Sequence, residues 1–396
     1  MNSNLDQLHP YPFEKLRLLF DGLTPPAEKS AIRLSVGEPG HPAPEFVRQT
    51  LIDNLNLLSN YPVSRGMVEL REAIAVWLQR RFKLAAVNPE TQVLPVSGTR
   101  EALFAIAQAT VSTNSNATVL CPNPFYQIYE GAALLAGAKP EFINCSQETD
   151  FLPDFDSVTA DQWQRCQLLY LCNPGNPSGA VIPLTQLHAL ILLAREHDFV
   201  IASDECYAEI YADEAAPPPG LLEACEALEE GNFRNCLVFH SLSKRSNLPG
   251  LRSGFVAGDA QLINRFLLYR TYQGCAMPPH HQMASIAAWN DEQHVIENRR
   301  LYREKFAQVI AELKDDMDVS APPASFYLWP KTPIADTEFA KALFAQEHVT
   351  VLPGRYLARD AGGINPGENR IRIALVAELA DCVEAAQRIK HFLQQL

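Results

Sequence analysis

Lys244 lies in the run Ser241-Leu-Ser-Lys-Arg-Ser-Asn-Leu-Pro-Gly-Leu-Arg252, with two hydroxyls before it and an arginine eight positions after it. A lysine amine is a useful nucleophile only when its pKa is lowered or a carbonyl compound is held against it. Serine hydroxyls and a planar guanidinium hold phosphate, through hydroxyl donors and a bidentate fork. An aldehyde-capturing amine beside a phosphate clamp is the combination that pyridoxal phosphate requires. Alone, the run also reads as a surface charge among small polar residues, so other segments must supply the rest of a site.

Several do. Ser203-Asp-Glu-Cys-Tyr207 follows the apolar run Phe199–Ser203, which puts Asp204 at a strand's carboxyl end. A carboxylate there would pair with a pyridinium N–H and keep the ring an electron sink for a carbanion at the substrate Cα. Tyr207 and Asn176, the latter in Cys172-Asn-Pro-Gly-Asn-Pro-Ser-Gly179, would donate to the ring's phenolic oxygen and favour its charged form. Val96-Ser-Gly-Thr-Arg-Glu-Ala102 reads as strand end, glycine turn and helix start, where Thr99 and Arg100 would offer phosphate donors. Tyr126 is an aromatic that would stack on a pyridine ring. In Arg370-Ile-Arg-Ile the arginines share a face and the isoleucines point to the core. Arg372 would then grip an α-carboxylate. Each segment has a plainer alternative: a helix cap for Asp204 and Thr99, a turn for Asn176, a core ring for Tyr126, a solvent-facing strand for Arg370.

The elements that must position these groups are legible in the apolar pattern. Ala117–Cys121, Leu168–Cys172, Phe199–Ser203, Cys236–His240 and Phe255–Gly258 are short, non-alternating apolar runs, as expected of strands buried on both faces. Helical stretches such as Glu101–Thr110 and Leu184–His197 lie between them. The expected class is α/β, a large domain with a mostly parallel sheet flanked by helices plus a smaller α+β domain. Residues 1–45 would form an arm and the first part of the small domain, 46–288 the large cofactor-binding domain, and 289–396 the C-terminal small domain. In such sheets ligands bind beyond the carboxyl ends of the strands.

The net charge of −13 argues against nucleic acid and anionic membrane surfaces as partners. The N-terminus shows no signal-peptide pattern and no run reaches membrane-spanning length, so the expected location is cytoplasmic. Nine cysteines without a Cys-x-x-Cys pair suggest neither zinc nor a disulfide framework, and Cys172 and Cys206 read as small hydrophobes in strand-like segments.

The order of these motifs, from Gly-Thr and Pro-x-Tyr through Ser-x-Ser-Lys-x₇-Arg to Arg-Ile-Ala-Leu, resembles the class I and II aminotransferases of the fold-type I pyridoxal-phosphate superfamily. The resemblance runs from about Val36 to the C-terminus. It implies that Lys244 is the Schiff-base lysine, Asp204 the partner of the ring nitrogen, and Tyr207 and Asn176 the donors to the phenolic oxygen. Ser241, Ser243, Arg252, Thr99 and Arg100 match positions around the phosphate, Tyr126 the stacking aromatic, and Arg372 the α-carboxylate arginine. Gly37 matches a backbone contact to that carboxylate. Tyr61 matches a tyrosine that reaches the phosphate of the neighbouring subunit, which implies a homodimer with active sites at its interface. The chain departs at Asn247, where many members carry glycine; asparagine tolerates the left-handed backbone well enough to preserve the loop.

Lys244-Arg-Ser-Asn-Leu-Pro-Gly-Leu-Arg-Ser-Gly254 and Leu8-His-Pro-Tyr-Pro-Phe-Glu-Lys-Leu16 resemble one subgroup, the succinyldiaminopimelate transaminases of the bacterial lysine pathway. That resemblance implies ping-pong transfer from glutamate to N-succinyl-2-amino-6-oxopimelate. The acceptor's three carboxylates need more than Arg372, with Arg33, Arg65, Arg355, Arg359 and Arg370 as candidates. Another amino-acid transaminase or a carbon–sulfur β-lyase would use the same cofactor residues. A non-enzymatic regulator would have lost Lys244, Asp204 or Arg372, and all three are present.

Overall fold

The computed structural model describes residues 2–112, 116–228 and 232–396. Seven strands make one sheet in the spatial order Val93–Val96, Gly254–Gly258, Cys236–Ser241, Val200–Asp204, Cys166–Cys172, Thr118–Asn123 and Lys139–Asn144. Only Gly254–Gly258 runs against its neighbours; the other adjacent pairs are parallel. The sheet is therefore mostly parallel, as the apolar runs require.

Side chains alternate across it. Leu169, Leu171, Ile201 and Val238 pack on one face with Ile74, Trp77 and Trp289. Leu168, Tyr170, Ala202 and Phe239 pack on the other with Leu103, Ile106 and Phe266. Both faces are buried, so helices must cover both, and the strand sequences show no polar alternation. The parallel arrangement brings the carboxyl ends of several strands to one edge, and Asn123, Cys172, Asp204 and Ser241 end their strands there.

A second core is built from both ends of the chain. Leu352–Pro353, Ile371–Ala374 and Tyr327–Leu328 form an antiparallel sheet, and Ile32–Arg33 pairs in parallel with Val349–Thr350. Ile371 and Ile373 face a cluster with Phe306 and Leu313 of the helix Gln293–Leu313 and with Ile389 and Phe392 of the helix Leu379–Leu393. The isoleucines thus point to the core as their alternation demands. The solvent-facing reading of Arg370 is corrected: Arg370 is buried, and its guanidinium donates to the Trp329 carbonyl at 2.8 Å and Gln147 Oε1 at 3.0 Å. The side chain thus satisfies the carbonyl of buried Trp329. No helix among the described residues is long and apolar enough to cross a membrane.

Candidate active site

The strand Cys236–Ser241 runs directly into a short helix, Leu242–Arg245, capped by Ser241. The Ser241 hydroxyl accepts from the Ser243 N–H at 3.1 Å and donates to Ser243 Oγ at 2.9 Å. One turn on, Lys244 lines a cavity of about 460 Å³, and its amine donates to the Gly37 carbonyl. Burial pushes the Lys244 pKa down to about 8, and the neighbouring Arg372 charge acts in the same direction.

Asp204, buried at the end of the neighbouring strand, lines the same cavity. It accepts from the Tyr129 hydroxyl at 2.7 Å and from the Cys206 N–H at 3.3 Å. Burial raises its pKa, while these hydrogen bonds pull the other way. Both donors are uncharged, so a cationic ring N–H against this carboxylate would strengthen its ionised form. The Tyr207 and Tyr327 hydroxyls lie 2.8 Å apart, and burial pushes the Tyr207 pKa well up.

Arg372 enters from the smaller sheet. It donates to Asn176 Oδ1 at 3.0 Å and to the Ser35 carbonyl at 2.7 Å, and its guanidinium stands 4.5 Å from the centre of the Tyr327 ring. Both acceptors are neutral, so the positive charge is uncompensated by them, and its buried Nε has no partner among the described residues. Using Oδ1 for Arg372 leaves the Asn176 N–H₂ as a donor. Gly37 is required where it stands, because a Cβ would fall 1.9 Å from the Tyr327 hydroxyl oxygen.

Gly98 makes the turn from Val93–Val96 into the helix Thr99–Thr110 at φ 85°, and a Cβ there would fall 2.1 Å from an Arg252 guanidinium nitrogen. Thr99, Ser241, Ser243 and Arg252 line this side of the cavity. A helix N-terminus, three hydroxyls and a guanidinium converge there, which suits a phosphate.

Arg100 and Tyr126 also line the cavity. The Arg100 side chain turns away from the hydroxyl cluster: Nε donates to the Tyr126 hydroxyl at 2.7 Å and Nη2 to the Tyr11 hydroxyl at 2.8 Å. Tyr61 is fully exposed and does not line the cavity of its own chain.

The five arginines expected to serve distal carboxylates do not line the cavity either. Arg355 pairs with Asp336, Arg359 with Glu130, and Arg65 donates to the Glu90 carbonyl; Arg33 is exposed on its short strand, and Arg370 is held as described above. Carboxylates elsewhere in the fold neutralise Arg355 and Arg359. The reading of Cys172 and Cys206 as packed hydrophobes is likewise incomplete. Cys206 lies beyond its strand, within 3.2 Å of the Thr99 hydroxyl, and both thiols line the cavity.

Tyr11, Tyr129 and Tyr327 are site residues that motif reading missed. Tyr129 had a usable signal, since it stands only three residues after Tyr126, in the first turn of the helix Ile128–Leu135. Tyr11 and Tyr327 reach the site only through long-range packing.

The model of the aminotransferase class I and II family matches residues 29–389. The chain belongs to that family. It is 48% identical to an aminotransferase from Neisseria meningitidis Z2491, with a TM-score of 0.95 over 99% of this chain and 100% of that one. It is 32% identical over 365 residues to the LL-diaminopimelate aminotransferase of Nitratidesulfovibrio vulgaris strain Miyazaki F, covering 90% of both chains. A structure from Thermus thermophilus, described as a probable N-succinyldiaminopimelate aminotransferase, superposes with a TM-score of 0.84 at 26% identity, over 96% of this chain and 99% of that one. Enzymes of this family carry pyridoxal phosphate, and the residues present fit it: a lysine with depressed pKa, a buried carboxylate lacking a cationic donor, and a phosphate cradle that a Cβ at Gly98 would fill.

Proposed function

We propose that this aminotransferase transfers the amino group of glutamate to N-succinyl-2-amino-6-oxopimelate, giving N-succinyl-LL-2,6-diaminopimelate and 2-oxoglutarate. The observation that carries the reaction type is the convergence of Lys244, Asp204 and Arg372 on one cavity. When bound, pyridoxal phosphate supplies an aldehyde for amine capture and a ring that takes up the electrons left at Cα.

The chain's residues have separate tasks. Arg372 grips the α-carboxylate, and its bonds to Asn176 and Ser35 fix the plane of its fork. Asp204 holds a proton at the ring nitrogen. Tyr207, released from Tyr327, and the free amide N–H₂ of Asn176 donate to the phenolic oxygen. Thr99, Ser241, Ser243 and Arg252 hold the phosphate, with the backbone of Arg100, and Tyr126 stacks on the ring. Lys244, its amine lowered by burial to a pKa of about 8, would take the proton from Cα as a base and return it as an acid at the cofactor's aldehyde carbon, on the far side of the transferred nitrogen.

The acceptor is proposed from the residues after Lys244, which resemble the succinyldiaminopimelate subgroup, and from diaminopimelate relatives such as the one at 32% identity. Arg100 is the cavity-lining cation left for a distal carboxylate, since the hydroxyls it contacts do not neutralise it. Tyr61 is proposed to reach the phosphate of a second copy across a homodimer interface. Exposed Leu58 and Val63 beside it are the apolar surface such an interface would cover.

A second reading is direct action on LL-diaminopimelate, favoured by the name of that relative. The two separate in kcat/KM with 2-oxoglutarate for N-succinyl-LL-diaminopimelate against LL-diaminopimelate. The proposal requires a preference of about a hundredfold or more for the succinylated compound. Equal use of both, or a preference for the free diamine, overturns it.

A further inference from the structure

The run Arg245-Ser246-Asn247 after the lysine has no part in the chemistry above, yet each of its side chains is committed to one neighbouring segment. Arg245 is buried against the indoles of Trp77 and Trp289, its guanidinium carbon 5.6 and 4.9 Å from the ring centres. It donates to the Ala288 carbonyl at 2.7 Å, the Asp291 carbonyl at 3.1 Å and Glu292 Oε1 at 2.6 Å. The Ser246 hydroxyl meets His294 Nε2 at 2.8 Å. Asn247, at φ 54°, donates from Nδ2 to Asn298 Oδ1 at 3.1 Å.

His294 and Asn298 are four residues apart on the helix Gln293–Leu313, so they share a face one turn apart. That face is turned to the lysine loop. Asn298, buried, also donates from Nδ2 to the carbonyl of Lys244 itself at 3.3 Å. Its Oδ1 accepts a second bond, from His41 Nδ1 at 2.8 Å. Burial lowers the His41 pKa, which favours a neutral ring, and the acceptor Asn298 Oδ1 assigns the ring's proton to Nδ1. His41 lies four residues beyond Gly37, whose carbonyl receives the Lys244 amine. Both ends of Lys244, carbonyl and amine, are thus tied to the same stretch of the N-terminal arm, the first through Asn298.

We infer that Arg245-Ser246-Asn247 is a clamp docking the lysine loop onto residues 288–298, which lead from the helix Pro279–Asn290 into the first turns of the helix Gln293–Leu313, and that Asn298 is the positioning residue that sets where Lys244 stands. A glycine at position 247 would have no side chain to make the Asn298 bond, so the device belongs to chains with this run. Asn298 touches neither substrate nor cofactor; it acts through the backbone of Lys244. The inference rests on Lys244 as the reacting lysine.

The test is Asn298→Ala in the pyridoxal-phosphate-loaded enzyme, read by half-reaction kinetics and by the pH titration of the lysine-bound cofactor's absorbance. A displaced amine should lower the rate of both half-reactions about tenfold or more. The KM for glutamate should stay within about twofold, and the absorbance midpoint should move by about half a pH unit. A folded Asn298→Ala enzyme with unchanged rates and midpoint overturns the inference. Asn247→Gly keeps the left-handed backbone and removes one tie, so it covers the case in which Asn298→Ala does not fold. It should slow both half-reactions by about threefold at unchanged KM; wild-type rates would overturn the clamp. Lys244→Ala distinguishes failure of the clamp from failure of the lysine assignment. If the absorbance band survives in it, the lysine assignment falls and this inference with it. If the band is lost there but unmoved by Asn298→Ala, only the clamp falls.

Discussion

The Tyr129 hydroxyl donates to Asp204 Oδ2 at 2.7 Å, with the Tyr129 ring stacked on Tyr170 at 4.5 Å and an interplanar angle of 10°. A rigid donor of this kind stabilises the ionised carboxylate against its own burial. Removing it in Tyr129→Phe leaves Asp204 buried with a weaker claim on a proton at the ring nitrogen. A hydrogen bond to a charged group contributes about 1.5–3 kcal/mol, so kcat should fall about tenfold or more. Steady-state kinetics with the folded variant checks this, and an unchanged kcat would separate Tyr129 from the chemistry.

Arg372 uses two nitrogens to orient itself, on Asn176 and Ser35. A lysine in its place keeps the charge and loses the fork. Arg372→Lys should lower kcat/KM for glutamate by about a hundredfold or more, with a much smaller effect on an amine that lacks a carboxylate. Equal losses for both would show that the arginine does not hold the α-carboxylate.

Tyr61 is fully exposed on its own chain, so truncating it removes no packing there. Tyr61→Ala should leave the Tm of the cofactor-free protein within about 2 °C of wild type. If it reaches a phosphate in a homodimer, the variant's Kd for pyridoxal phosphate should rise about tenfold. Fluorescence titration with the cofactor reads this directly, and an unaltered Kd would remove Tyr61 from the site.

How far the site was readable follows from where each residue sits. Asp204, Asn176, Thr99 and Lys244 stand at or just beyond strand ends, in short motifs where turn chemistry and reactive chemistry coincide. A parallel sheet then gathers those ends without further instruction. Gly37 was legible through the family resemblance alone, and the alternation that singled out Arg372 did not show what it meets, since nothing local brings a residue of the arm to one near the C-terminus. Tyr11 and Tyr327 lay beyond reach for the same reason. The strand Lys139–Asn144 was also missed; it is an edge strand with exposed and buried positions mixed, so it lacks the continuous apolar run of its neighbours. Arg370 misled because alternation fixes which face a side chain takes, and the face opposite the core is covered here too.

The depressed pKa of Lys244 gives a pH signature in the cofactor-free protein. An ordinary lysine titrates near 10.4, and Lys244 should be half neutral at about 8. Below that pH its reactive fraction falls about tenfold per unit. Competitive acetylation across the range, read peptide by peptide in a mass spectrometer, should give Lys244 a midpoint well below that of the surface lysines. A midpoint shared with them would contradict its enclosure.

Every role assigned above depends on Lys244 being the residue that bonds the cofactor. Borohydride reduction of the pyridoxal-phosphate-loaded enzyme, followed by proteolysis and mass spectrometry, locates that bond. The cofactor's mass should appear on the peptide containing Lys244, and no labelled peptide should be recovered from Lys244→Ala. Label on another lysine in the wild-type enzyme, or label persisting in the variant, would contradict that assignment.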